Sequence, residues 1–153
     1  MTPYAPFSIS VHNNIGLCLM EKDYFKEALN HFQTSLSLKK NLENDLGIAR
    51  TLGNIAHCYL KLNMIEHSID WFEKALALKI QTYGKSAKNE DIAMSLQNLG
   101  KVYFEAGQTL KAKKCFKKGL KMFQYSQAAT EGTYIGMYLR TLMHVIVNFF
   151  MGI

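Results

Sequence analysis

One eight-residue pattern is written three times in this chain of 153 residues, and internal repetition narrows the possible folds more than any other feature. The copies are His12-Asn13-Asn14-Ile15-Gly16-Leu17-Cys18-Leu19, Leu52-Gly53-Asn54-Ile55-Ala56-His57-Cys58-Tyr59 and Leu96-Gln97-Asn98-Leu99-Gly100-Lys101-Val102-Tyr103. Each places a large residue, an aliphatic and a second large residue at helical spacing, with a small residue directly after the aliphatic. Residues spaced in this way share one helix face, and the small residue lets a second helix come close. A second segment follows each copy, with Ala28, Ser68 or Ala112 preceding Phe32, Phe72 or Phe116 by four residues. The small and aromatic pair supplies the partner helix, so the spacing predicts a helical hairpin written three times over.

These positions resemble the tetratricopeptide repeat. On that family's count the repeats begin at Ile9, Ala49 and Ala93, 40 and 44 residues apart, against about 34 in the ordinary repeat. The family's usual proline near the repeat's end is replaced by Lys40, Ile80 and Gln124. Long spacing without that proline is similar to the extended repeats of kinesin light chains, rapsyn and the Leu-Gly-Asn repeat regulators. The resemblance implies an all-α, right-handed superhelical solenoid of three hairpins, closed by a C-terminal capping helix. The expected divisions are an irregular lead-in over 1–8, three repeats over 9–48, 49–92 and 93–125, and an apolar helix within 126–153.

Local signals set the expected helix ends. Residues 1–8 hold both prolines, Pro3 and Pro6. Helices are expected over 9–21 and 24–40, with Asp23 as a cap, and Asp45 is expected to cap the third helix. Asn63-Met64-Ile65-Glu66 has capping-box spacing, and Gly107 is the natural break in the third hairpin. Residues 133–153 are apolar apart from Arg140 and His144. That stretch reads as a helix closing the array, with an assembly helix as the alternative; a central arginine argues against a membrane span.

The net charge of +6 is local. Residues 101–121 contain seven lysines and one glutamate, a sum equal to the charge of the whole chain. Lys111, Lys114, Lys118 and Lys121 form one helical stripe, flanked by Lys113 and Lys117. It reads as a solvated outer face, or as an electrostatic surface for nucleic acid or anionic membrane. No aromatic residue interleaves it for base stacking, so nucleic acid and membrane partners are disfavoured. Cys18 and Cys58 occupy one repeat position and are expected to pack inward as thiols. An odd cysteine number and no secretory leader favour the cytoplasm.

The remaining candidates lie on the first helix of each hairpin. Asn14, Asn54 and Asn98 stand one residue before the core aliphatic. In the family that the chain resembles, first helices line the concave surface, and an asparagine at this place often holds peptide main chain through its donor and acceptor. Leu17, His57 and Lys101 lie one turn on, followed by Lys61 and Glu105, while Asn13 and Arg50 are expected on the same side. The alternative is that the asparagines bond within the scaffold. The clamp that grips a chaperone's terminal carboxylate in related repeats is not reproduced: of its positions, Asn13, Leu17, Asn54, Met94 and Asn98, only Asn54 matches, and the cations are missing.

Catalytic signatures are absent, and no metal-ligand spacing or cofactor motif occurs. The expected role is a non-enzymatic adaptor that holds a protein or peptide partner in its groove. Two alternatives are kept: a scaffold self-assembling through its end faces and apolar C-terminal helix, and an electrostatic binder using the lysine stripe. The uncovered face of the first hairpin suggests a homo-oligomer or membership of a longer array.

Overall fold

The computed structural model describes residues 5–39, 45–84 and 90–127, and their regular structure is helical throughout. Six helices occur among them: α1 Ala5–Glu21, α2 Phe25–Lys39, α3 Asp45–Lys61, α4 Ile65–Tyr83, α5 Glu90–Glu105 and α6 Thr109–Gln127. The chain divides between Thr82 and Tyr83 into two compact units. The first carries the first two hairpins and the second carries α5 and α6. The apolar segment 133–153, with its expected capping or assembly role, lies outside the described residues. No described helix is long and apolar enough to cross a membrane.

The lead-in is shorter than expected, because α1 begins at Ala5. Pro6 does not prevent this: in a first turn its missing N–H would have had no intrahelical partner. A second correction concerns the hairpin turns. Asp23 and Asn63 are not N-caps; they adopt left-handed backbone conformations, with φ 61° and 60°, as Gly107 does at 71°. Each is followed by an amide that reaches back over the helix end: Tyr24 N donates to Leu19 O (2.9 Å), Met64 N to Tyr59 O (2.9 Å) and Gln108 N to Tyr103 O (2.8 Å). The left-handed residue itself donates to Met20 O, Leu60 O or Phe104 O at 2.9–3.1 Å. These paired bonds end each first helix as a Schellman motif. Carbonyls of Tyr24, Met64 and Gln108 then accept the first bonds of the second helices, from Ala28, Ser68 and Ala112. The three turns are one device, using Asp, Asn and Gly as the residues most tolerant of the left-handed region.

Within the first unit α1 packs on α2 and α2 on α3. Ala28 and Phe32 of α2 form a fully buried cluster with Ile55 and Cys58 of α3, flanked by Leu36, Tyr59 and Trp71 among others. Gly16 lies so close to Phe32 that an added Cβ would sit 2.7 Å from its ring. Where the second hairpin has Ala56 instead, the Ser68 hydroxyl donates to its carbonyl oxygen at 2.8 Å. In the second unit Gly100 stands to Phe116 as Gly16 stands to Phe32, again at 2.7 Å.

Burial of the repeat positions is unequal. Ile55 and Leu99 are 0% and 4% exposed, whereas Ile15 in the same place is 38% exposed. Cys58 is buried but Cys18 is exposed, which corrects the expectation that both thiols pack inward. The physical reason is neighbourhood: α2 covers this face of α3, and no described helix covers it on α1.

Candidate functional site

Each first helix presents one outward stripe spaced by four, three and four residues. On α3 it is Arg50, Asn54, His57 and Lys61, on α5 Met94, Asn98, Lys101 and Glu105, and on α1 Ser10, Asn14, Leu17 and Glu21. Residues at these intervals stay on one side of a helix, so each asparagine has its neighbours one turn to either side. Packing fixes which side faces outward. Ile55 and Cys58 point α3 into the core, and Leu96, Leu99, Val102 and Tyr103 do the same for α5. The polar stripe is what remains.

Burial separates the expected residues. Asn14, Asn98, Leu17, Arg50, Lys61, Lys101 and Glu105 are exposed, while Asn54 and His57 are half-buried. Among the described residues the carboxamides of Asn14, Asn54 and Asn98 form no hydrogen bond, so each retains its donors and its acceptor. Asn13 differs. It is half-buried, and its Oδ1 lies 3.5 Å from the Thr51 hydroxyl, which itself donates to Gly47 O at 3.1 Å. Asn13 therefore sits at the contact of α1 with α3, beside the stripe. Asn14 and Asn54 belong to the first unit and Asn98 to the second, and each helix is described within its own unit.

Charge differs along the stripes. α3 carries Arg50 and Lys61 without an acid, α5 carries Lys101 and Glu105, and α1 ends in Glu21. Met94, 50% exposed, is a stripe member that the sequence reading did not select. Its signal was available, since it occupies the repeat place of Arg50. A carboxylate at the end of α1 or α5 stands at the negative pole of the helix, a placement that costs about 0.3–1 kcal/mol.

Two other clusters lie outside these stripes. His12 and His31 bring their Nδ1 atoms to 3.0 Å across α1 and α2, so one ring donates to the other. The lysines of α6, at 111, 113, 114, 117, 118 and 121, are all exposed, and Lys111 Nζ lies 5.1 Å from the centre of the Tyr103 ring. Burial pushes the Cys58 thiol from its ordinary 9.0 up to about 11. It is an inert thiol inside the core, not a nucleophile.

Comparison with known proteins gives matches along most of the repeats. Models of the family described as tetratricopeptide repeat match residues 7–81 and 94–124. The anaphase-promoting complex subunit cut9 of Schizosaccharomyces pombe is 37% identical over 67 residues, 43% of this chain and 10% of that protein. Response regulator aspartate phosphatase A of Bacillus subtilis is 27% identical over 107 residues, 69% of this chain and 27% of its own length. The chain thus spans about a quarter or less of these relatives. Among solved structures, a Rap protein complexed with competence and sporulation factor superposes with a TM-score of 0.74. At 22% identity, over 94% of this chain and 36% of that one, it is a likeness in fold.

Proposed function

Because this chain belongs to the tetratricopeptide-repeat superfamily, an all-α solenoid that serves as a protein-binding module, we propose that it is a non-enzymatic adaptor. Its ligand is an extended peptide segment of a partner protein, held along the outward stripes of α1 and α3 in the first unit, with the stripe of α5 offering the same kind of contact within the second. Asn14, Asn54 and Asn98 hold the peptide main chain. The observation that carries this reading is that, among the described residues, three equivalent carboxamides form no hydrogen bond while the opposite side of α3 and of α5 packs into the core. A scaffold role would require them to bond within the fold.

The flanking residues supply selectivity. Arg50 and Lys61 lie on either side of Asn54, so the peptide carries a carboxylate where it crosses α3. Charge-assisted bonds to that carboxylate are stronger than neutral ones. Leu17 and Met94, 39% and 50% exposed, offer apolar contacts at α1 and α5. The reading needs no cofactor, no metal and no catalytic group. The phosphatase named in the relative from B. subtilis bears on this chain only through the matched portion, 27% of that protein's length.

The test is affinity capture with the wild type and the Asn14→Ala/Asn54→Ala/Asn98→Ala variant, after circular dichroism has shown equal helicity. Loss of a defined partner with the three carboxamides supports the stripe as the site. An unchanged set of partners removes it. Competition by a synthetic acidic peptide from the captured partner, weakened by Arg50→Glu, then tests the charge assignment separately.

A further inference from the structure

A different face of α1 carries an inference independent of the peptide stripe. The repeat offset of 40 residues lays α1 on α3 residue by residue. Phe7, Val11, Ile15 and Cys18 fall on Gly47, Thr51, Ile55 and Cys58. On α3 all four are buried, and Thr51, Ile55 and Cys58 are 0% exposed. What covers that face is known: α2 packs on α3 and brings Ala28 and Phe32 into one cluster with Ile55 and Cys58. On α1 the same face is open. Phe7 is 73% exposed, Ile15 is 38% exposed, Cys18 is exposed and Val11 is half-buried.

The open face is built as a contact surface. It runs along three helical turns, roughly 16 Å at about 1.5 Å per residue, and none of its four residues is charged. Glu21, the single charged residue in Ala5–Glu21, lies on the other stripe. We infer that the Phe7–Val11–Ile15–Cys18 face of α1 is a docking site for the second helix of another tetratricopeptide hairpin, one with a small residue four places before a phenylalanine. The helix lies on α1 as α2 lies on α3, continuing the α2·α3 interface by one repeat offset. Ile15 and Cys18 meet its small and aromatic pair, as Ile55 and Cys58 meet Ala28 and Phe32. Phe7 makes the site selective. It stands where α3 has Gly47, and so gives the incoming helix an aromatic anchor that α3 lacks at that place.

The probe is a helix-stapled peptide of residues 25–39, with Ala28 and Phe32 unmodified, added to the full chain. It is used with its native Leu36 and also with Leu36→Ala, because Phe7 is larger than the Gly47 whose place it takes. Saturable binding of either peptide is expected, with alkylation of Cys18 by iodoacetamide slowed at least ten-fold at saturation. Phe32→Ala in the peptide should weaken binding at least ten-fold. Ile15→Glu in the protein should abolish it, and Phe7→Ser, at a position too exposed to hold the fold, should weaken it several-fold.

No saturable binding of either peptide overturns the inference, as does binding that both protein variants leave unchanged. A concentration-dependent dimer of the wild type that itself protects Cys18 would give the face to a second copy of α1 and overturn the assignment as well. The asparagine variant leaves this site intact, so the peptide stripe and the docking face can fail separately.

Discussion

At Gly16 and Gly100 a single missing carbon decides how closely two helices pack. A Cβ at either position would lie 2.7 Å from a phenylalanine ring, and Phe32 and Phe116 are only 0% and 4% exposed. Neither ring has free space to retreat into. Overpacking of this kind costs about 1–3 kcal/mol, set against a gain of up to about 1 kcal/mol from replacing glycine in a helix. Gly16→Ala and Gly100→Ala should therefore destabilise by up to about 2 kcal/mol, read from urea unfolding midpoints. Gly53 gives the opposite sign. It is also inside a helix, but an added Cβ would meet nothing within 4 Å, so Gly53→Ala should stabilise by about 0.5–1 kcal/mol. The thiols separate in the same residue-level way. Cys18 should react with iodoacetamide at mild alkaline pH while Cys58, raised to about 11, stays protonated and inert. The folded state holds the Cys58 proton more tightly than the unfolded chain, whose thiol ionises at its ordinary value of 9.0. This group therefore lowers stability as pH rises from about 9 to about 11, an effect that Cys58→Ala should remove from a pH series of melting temperatures.

Helices and their small, large and aromatic positions were legible because the chain writes them three times, so chance matches at one copy are checked by two others. Turn chemistry was less legible. Asp23 and Asn63 read as N-caps because their side chains suit that place, yet the same residue types tolerate the left-handed conformation that a two-residue turn demands. Gly107, with no side chain to suggest a cap, was read correctly as a break. The outward stripes were also legible as a period, though Asn13 was placed among them when one residue of rotation carries it to the α1–α3 contact. Met94 shares the repeat place of Arg50, but its apolar side chain carries neither the charge nor the hydrogen-bonding groups that mark the rest of the stripe. The turn assignment makes a prediction at this scale. Asp23→Gly and Asn63→Gly should each stabilise by about 0.5–1 kcal/mol in thermal melts, since glycine enters φ near 60° without the Cβ penalty. Had either residue been the N-cap, glycine would instead have lost its capping bond and lowered the midpoint.

Over the whole molecule the charge is divided sharply. The described helices of the first unit mix acids and bases, whereas α6 has six lysines and no carboxylate between Thr109 and Gln127. Lysines at 111 and 114, 114 and 117, and 118 and 121 are three apart, and those at 113 and 117, 114 and 118, and 117 and 121 are four apart. Each like pair at such spacing costs about 0.2–0.5 kcal/mol, and the cost is electrostatic. The first two lysines also face the positive pole of the helix, where an acid would be favoured. Hydrophobic burial of Ala112, Phe116 and Phe123 must therefore hold α6 in place against its own charge. Salt should consequently stabilise this protein, because at about 0.5 M the screening length falls well below its value of about 10 Å at 0.1 M. The melting temperature should rise between low and high sodium chloride, and Lys114→Glu/Lys118→Glu should both raise the low-salt value and flatten the dependence. Sodium chloride is the appropriate salt, since sulfate would add a general strengthening of apolar burial. A wild-type midpoint that falls with salt would mean that favourable ion pairs outweigh the lysine repulsion, and that the charge on α6 is already neutralised within the fold.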